Sequence, residues 1–311
     1  MYEESNQHAK HAVQLMRRAG VGEALIYAYM ESGWLITSEN VHLAPPGYVK
    51  EFEGYVKEYQ NAMNEPLKDN QINVLLLVSI ANDILKDLAF KLRTNLRDAY
   101  NYFIKKHLEG NKDFFNYEVN SVLDYGGLCA MKTLNNLESI HKLAEHELEE
   151  NILATSRSIF ESYLYMVALN RSEEFFEENI LNANHEQPVS IASLAKQSKY
   201  RQDRQLYNSF FRESSRFVHL DVLSAQAYFK EYQPFTEINR SLIAYVIGVT
   251  FAVLNLEQIS MFKECDDQFC KDISYLVEHA KKDLLDGYRL IASIPSSQSG
   301  MYDKLKQRLE N

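Results

Sequence analysis

Apolar residues recur at the period of an amphipathic helix along most of this chain. The clearest example runs from Leu67 to Leu108, where apolar residues are spaced close to the 3.6-residue period of a helix. These residues are Ile72, Leu75, Leu76, Ile80, Ile84, Leu88, Leu92 and Leu96. The same pattern predicts further long helices at residues 128–170, 173–184, 236–263 and 267–294.

Glycine and proline residues separate the predicted helices. The pair Gly126-Gly127 indicates a turn, and His185–Ser190 indicates a break after which Ser190 caps a short helix. Pro295–Gly300 ends the last long helix and releases a charged tail that is either loose or packed on a partner. The predicted segments are an N-terminal helical region (1–126), a helical bundle (127–294) and the charged tail (295–311).

Composition favours an all-α, multi-helix bundle. The 311 residues include only 11 Gly and 6 Pro, so few residues interrupt helices. The most apolar run, Ser241–Leu256, is shorter than the ~20 residues that span a membrane, so it predicts a buried bundle helix and no membrane association. The first residues do not match a signal peptide, and three cysteines do not indicate a disulfide framework. The expected location is the cytoplasm.

A local excess of positive charge is the most informative feature of the chain. Between Lys196 and His219, six Lys or Arg stand against two Asp or Glu, a local balance of +4 in a chain of net charge −10. The overall negative charge argues against indiscriminate nucleic-acid binding, so the segment indicates a confined site for an anion. Lys199, Arg201 and Arg204 are candidate substrate contacts in this segment.

Placed on a helix, the stretch from Lys196 to Ala227 puts Arg212, Arg216 and His219 on one face at i, i+4 and i+7. A guanidinium can hold phosphate by paired charge-assisted hydrogen bonds, and a histidine can transfer the proton of a ribose 2′-hydroxyl. These groups suffice for RNA cleavage without a metal or another cofactor. Arg and His lie ~10 Å apart along the helix, so two copies meeting in a dimer would make a tighter site. The alternative is a solvated basic face that carries a histidine.

Arg157 and Glu161 form a second candidate group, because residues at i and i+4 can pair on a helix. Their apolar neighbours place them partly inside the bundle, where they would orient Arg212 or Arg216. The alternative is a structural ion pair.

A metal centre is a third hypothesis. Glu138 and His141 form a Glu-x-x-His pattern, and di-iron bundles use two such motifs on helices. The second copy, Glu39–His42, lies beside Pro45-Pro46 in a predicted loop. An exposed charged helix face is therefore the favoured interpretation of Glu138 and His141, and no metal is expected.

Two helices together resemble a known family. One carries Arg157, Ser158, Phe160 and Glu161, and a later one carries Tyr207, Ser215 and His219. This combination resembles an uncharacterised bacterial all-helical family over residues 127–260, and it is similar to the wider HEPN superfamily (higher eukaryotes and prokaryotes nucleotide-binding). The HEPN motif is Arg followed after four to six residues by His, which Arg212 and His219 match.

The resemblance implies a HEPN-like bundle with additional N-terminal helices, a homodimer and an inhibitory partner protein. It also implies a metal-independent endoribonuclease or RNA-binding protein of a bacterial defence, antiviral or toxin–antitoxin kind. The implied roles are phosphate binding by Arg212 and Arg216, proton transfer by His219, orientation by Arg157 and Glu161, and substrate contact by Tyr207 and Ser215. Two alternatives stay open: a non-catalytic helical protein whose basic face binds an acidic partner, and a carboxylate-bridged di-metal bundle.

Overall fold

The computed structural model describes residues 14, 17, 69–110, 119–145, 149–181, 189–211, 214, 234–292 and 300–310. Within these ranges the chain forms nine α-helices and two π-helical segments, and it forms no β-strand. The prediction of an all-α, multi-helix protein is therefore confirmed.

The helices match the apolar pattern closely. The α-helices are α1 (Asp69–Gly110), α2 (Val122–Glu145), α3 (Glu149–Arg171), α4 (Glu173–Phe176), α5 (Ile191–Gln197), α6 (Arg201–Leu206), α7 (Pro234–Ile259), α8 (Asp267–Ala292) and α9 (Gly300–Leu309). The π-helical segments, Glu177–Leu181 and Tyr207–Phe211, directly extend α4 and α6. The bounds of α1, α7 and α8 lie within four residues of the predicted ones.

The prediction of a turn at Gly126-Gly127 is wrong, because both glycines lie inside α2. A Cβ atom at Gly126 would overlap the ring of Phe262, which packs directly against the helix backbone. Glycine is therefore needed here for a close approach and not for a chain reversal. The predicted helical stretch at 128–170 falls within α2 and α3, and residues 146–148 between them lie outside the described residues.

The chain divides into two compact units. The larger comprises Asp87–Lys230, Ala244–Lys282 and Ser299–Asn311, and the smaller comprises Met1–Lys86, Glu231–Ile243 and Asp283–Gln298. Buried residues of the smaller unit include Ala81, Ile84 and Leu85 of α1 and Leu284, Tyr288 and Ile291 of α8. The division after residue 126 that the sequence suggests stays a prediction.

Aromatic residues form the centre of the larger unit. The ring of Phe160 on α3 lies 4.8 Å from the ring of Phe251 on α7, centre to centre, and the ring of Phe210 lies 4.9 Å from Phe251. Phe160 and Phe210 meet edge to face at 6.1 Å, an arrangement that aromatic quadrupoles favour. These three rings fix α3, α7 and the segment Tyr207–Phe211 against one another.

Helix α7 is the most buried helix of the described chain. Its window Leu242–Ile259 is long and apolar enough to cross a membrane, but 94% of that window is buried inside the protein. Every residue from Ala244 to Ile259 is buried. Such burial is typical of the core helix of a soluble protein, as the sequence predicts.

The charged tail predicted from residue 295 contains a packed helix. Helix α9 lies against α6 and buries Leu305, Arg308 and Leu309, each 2% exposed or less. The expectation of a loose tail is wrong for α9, because this helix covers part of its own unit. Packing of the tail on a partner stays a prediction. The apolar positions Leu305 and Leu309 are spaced at i and i+4, which brings them to one face of the helix.

Candidate nucleic-acid interface

The predicted site lies only partly within the described residues. Arg212, Ser215, Arg216 and His219 fall outside them, as does Glu39–His42, so the roles assigned to these residues stay predictions. The described members of the predicted site are Arg157, Glu161, Lys199, Arg201, Arg204 and Tyr207.

The basic segment begins on two short helices. Ser190 caps α5 as predicted, since its hydroxyl accepts a hydrogen bond from Ser193 N at 3.2 Å. The Ser198 hydroxyl accepts a hydrogen bond from Tyr200 N at 3.1 Å, and such local bonds compete with helix continuation. The chain therefore turns between α5 and α6, and the helix predicted to carry Arg212, Arg216 and His219 lies outside the described residues.

The π-helical segment Tyr207–Phe211 extends α6 towards Arg212. Its wider turn brings the adjacent residues Phe210 and Phe211 closer to a common face than an α-helix would, and both are buried. Tyr207 stacks on Phe211 at 5.4 Å between ring centres. Segments of this kind occur frequently at functional sites.

Four side chains form what we call the basic face: Lys196, Lys199, Arg201 and Arg204. All four are exposed to solvent. Within the part of the chain that the structure describes, none of them forms an ion pair. Positive charge without a protein counter-ion is what a surface that binds phosphate requires.

Asp203, the acid of α6, does not neutralise the basic face because its carboxylate faces inwards. The side chain is 0% exposed. It accepts hydrogen bonds from Ser198 Oγ at 2.5 Å and from Tyr163 Oη, which lies 3.0 Å from each carboxylate oxygen. Burial raises the pKa of Asp203 to about 6, although Ser198, Arg308 and Tyr163 oppose this shift.

Arg308 of α9 completes a buried polar network beneath α6. Its Nε donates a hydrogen bond to Tyr163 Oη at 2.8 Å and lies 3.8 Å from Asp203 Oδ1. Its Nη2 donates to Glu257 Oε2 at 2.5 Å, and Lys281 Nζ lies 2.5 Å from the other oxygen, Glu257 Oε1. Two cations therefore share one buried carboxylate, and α9, α7 and α8 meet at that point.

The ionisable groups of this network shift one another's pKa values. Burial alone would raise the pKa of Glu257, but Arg308 and Lys281 hold it below its usual value. Burial alone would lower the pKa of Arg308, but Tyr163, Glu257 and Asp203 raise it. Burial, together with Asp203, raises the pKa of Tyr163 well above its usual value, so the phenol stays protonated and donates. The network is thus an ionised, hydrogen-bonded structure and not a set of isolated charges.

Tyr200 connects the network to the basic face. The guanidinium carbon of Arg308 lies 3.5 Å from the centre of the Tyr200 ring, and Lys199 Nζ lies 4.9 Å from it. Both distances are within the range of cation–π attraction. The buried network therefore fixes the turn that carries Lys199 and the start of α6.

Arg157 and Glu161 occupy the same helix but have separate partners. Glu161 is 3.9 Å from Lys132 of α2, and no ion pair joins Glu161 to Arg157 among the described residues. The guanidinium of Arg157 instead lies 4.2 Å from the centre of the Phe211 ring, and its Nε has no hydrogen-bond partner in the described chain. The expected ion pair is therefore not formed, but Arg157 does lie beside the residue that precedes Arg212.

The residues proposed for a metal have other contacts. Glu138 is 3.5 Å from Arg97, and His141 Nδ1 is 3.0 Å from the hydroxyl of Tyr245. Among the residues that the structure describes, no group of three or more His, Cys, Asp or Glu side chains is arranged to hold a metal ion.

Sequence reasoning missed Tyr163, Lys281, Glu257 and Arg308. One signal pointed to Glu257, which directly ends the most apolar run of the chain and so stands at the edge of a buried helix. A carboxylate in that position needs a cation. Nothing in the local sequence identifies Arg308 as that cation, since it lies in a segment rich in charged residues.

No protein-family model matches the chain, and no curated protein or solved structure is significantly similar to it. The resemblance to the HEPN superfamily is therefore a prediction that depends on the sequence residues alone.

Proposed function

We propose that this chain binds single-stranded RNA on the basic face and cleaves it without a metal ion. The observation that supports binding is the exposure of Lys196, Lys199, Arg201 and Arg204 without ion pairs in the described chain, while Asp203 turns inwards. The whole chain carries a net charge of −10, so phosphate binding elsewhere on the chain is disfavoured.

RNA fits this face better than a compact anion does. Four cations are distributed over two helices and the turn between them, which suits a string of phosphates. Tyr207, half-buried on the π-helical segment, offers part of an aromatic ring next to the cations, and aromatic rings stack on unpaired bases. Each phosphate neutralised by the face releases counter-ions, so binding would weaken as salt rises.

Charge reversal tests the binding proposal. We expect Arg201→Glu/Arg204→Glu to weaken the binding of a short single-stranded RNA by about tenfold or more, because two phosphate contacts become repulsive. The control is Lys271→Glu/Lys282→Glu, which changes the net charge equally at two exposed lysines of α8. Equal RNA affinities of the two double variants, measured by fluorescence anisotropy, would contradict the proposal.

Cleavage is assigned to Arg212, Arg216 and His219, and Arg157 lies beside the ring of Phe211, the residue before Arg212. In this proposal the arginines hold the phosphate while the imidazole accepts the 2′-hydroxyl proton and the 2′-oxygen attacks the phosphorus. The bond from phosphorus to the 5′-oxygen breaks, and the 5′-oxygen leaves with a proton from the imidazolium or from water. Cleavage therefore proceeds in EDTA and yields a 2′,3′-cyclic phosphate. His219→Ala should abolish cleavage without abolishing RNA binding. RNA that survives the wild-type homodimer intact would refute the nuclease part.

The biological setting follows from the same resemblance. We propose a cytoplasmic homodimer of a bacterial defence or toxin–antitoxin kind that an inhibitory protein holds inactive. If the basic face instead binds an acidic protein, charge reversal at Arg201 and Arg204 would break that complex, and His219→Ala would leave it intact.

A further inference from the structure

A polar groove of about 330 Å³ lies beside the basic face in the larger unit. The end of α3 and the start of α4 form one wall, with Asn170, Arg171 and Ser172, and the connection between α7 and α8 contributes Lys263. Its volume falls at the lower end of the range for small-ligand sites. It is therefore large enough for one nucleotide.

Two groups in the groove have hydrogen-bonding capacity that the described chain does not use. Ser172 stands at the N-cap of α4, yet its side chain makes no capping hydrogen bond. The amide nitrogen of Asn170 donates to Gln258 O at 2.8 Å and to Gln258 Oε1 at 3.2 Å. These bonds fix the orientation of the amide and leave its Oδ1 as an acceptor for a ligand.

The charges of the groove suit a nucleotide. Arg171 and Lys263 are exposed cations, and Glu174 and Glu264 are exposed acids that also line the groove. A phosphate would interact with the cations, and the hydroxyls of a ribose would donate to the carboxylates. A ligand that carries only phosphate would meet repulsion from the two acids, since like charges at short range repel.

The groove is continuous with the basic face. Arg171 Nη1 donates a hydrogen bond to Gln197 O, at the residue that follows Lys196. Lys199 Nζ lies 4.0 Å from Met261 Sδ, two residues before Lys263. An RNA strand held by Lys196 and Lys199 would therefore pass the mouth of the groove.

We infer that this groove binds one nucleotide of the RNA held on the basic face, with a preference for bases that carry an exocyclic amine, such as adenine and cytosine, over uracil. Arg171 and Lys263 hold its phosphate, and Ser172 and the two glutamates contact its ribose. Asn170 Oδ1 accepts a hydrogen bond from the exocyclic amine, which adenine and cytosine carry and uracil lacks. The inference rests on the proposed RNA binding and adds a site that selects the base.

Two variants and two binding assays test the groove. Ser172→Leu fills the groove without changing charge, with exposed Ser139→Leu on α2 as its control, and Lys263→Gln has Lys282→Gln as its control. Oligoadenylate, oligocytidylate and oligouridylate are compared by anisotropy, and adenosine 5′-monophosphate is titrated by saturation-transfer NMR. Wild type should bind oligoadenylate and oligocytidylate more tightly than oligouridylate. Ser172→Leu should lose that preference together with mononucleotide binding, and Lys263→Gln should weaken all three about threefold.

The outcomes separate the groove from the basic face. If Arg201→Glu/Arg204→Glu weakens RNA binding but both groove variants match their controls, the groove inference is overturned and the proposed function stands. If mononucleotide binding is lost in Ser172→Leu while the charge-reversed variant binds RNA as the wild type does, the groove stands and the proposed function fails. Equal affinity for the three homopolymers overturns the base preference.

Discussion

Replacing Arg308 by methionine should destabilise the chain strongly, because it leaves a buried carboxylate short of one partner. The guanidinium is fully buried, bonds Glu257 at 2.5 Å and Tyr163 at 2.8 Å, and stacks on Tyr200 at 3.5 Å. Removing one member of a buried ion pair costs about 3–5 kcal/mol. Lys281 remains as a partner of Glu257, so we expect the lower end, about 3 kcal/mol.

Lys306→Met is the matched control, since it removes a cation from the same helix. Lys306 is 45% exposed and lies 4.0 Å from Glu310, a surface pair that contributes about 0.5 kcal/mol at most. Urea unfolding followed by far-ultraviolet circular dichroism gives both free energies. The difference between the two variants should exceed about 2 kcal/mol.

A double variant tests the electrostatic cause. In Glu257→Gln/Arg308→Met the buried carboxylate that has lost one of its two cations is gone, so part of the stability lost in Arg308→Met should return. Strictly additive losses would mean that the two side chains act independently. That result, or an Arg308→Met variant as stable as Lys306→Met, would refute the network described above.

Three further predictions follow from individual buried residues. Gly248→Ala should destabilise the chain by about 1–2 kcal/mol, because the added Cβ would overlap Ile140 and Ser156 in a packed core. Gly287→Ala should stabilise the chain by up to about 1 kcal/mol through helix propensity, because the nearest atom lies 4.0 Å from the added Cβ. Thermal melts compare the two variants, and equal effects would contradict this packing. Asp203, whose pKa is raised to about 6 in the folded chain, binds a proton more tightly there than in the unfolded chain, so the stability of wild type relative to Asp203→Asn should fall by about 2–3 kcal/mol as pH rises from about 4 to about 7. Urea titrations across that range measure the change, and a flat difference would show that the carboxyl titrates normally. Burial raises the pKa of Cys129 to about 12, so Ellman's reagent should reach this thiol only after unfolding, while half-buried Cys270 reacts slowly in the native protein. Rapid native labelling of Cys265→Ser/Cys270→Ser, in which Cys129 is the remaining thiol, would contradict the burial of Cys129.

The long helices could be predicted because their signal is local. The apolar residues of α1 and α8 repeat at the helical period, and their bounds were predicted to within two residues. The turn predicted at Gly126 was wrong because the local sequence does not distinguish a glycine that makes room for Phe262 from a glycine that forms a turn. Only the position of a residue far away in the chain distinguishes the two.

The positive charge of the candidate site could be predicted from the sequence, but the buried polar network beneath it could not. The excess of Lys and Arg after Lys196 is visible in the sequence, and these cations do lie on the surface. That Asp203 faces inwards depends on Tyr163 and Arg308, which stand 40 and 105 positions away along the chain. Non-local pairing of this kind leaves no periodic signal, so the charged tail gave no indication that it contains a buried arginine.

The salt dependence of RNA affinity measures directly whether RNA phosphates contact the basic face. The logarithm of the binding constant should fall linearly with the logarithm of the salt concentration, with a slope set by the phosphates contacted. Removing two of those contacts in Arg201→Glu/Arg204→Glu should make the slope shallower by roughly 1.4, at ~0.7 for each phosphate of a single strand. A slope identical to that of the wild type would show that RNA does not bind on the basic face.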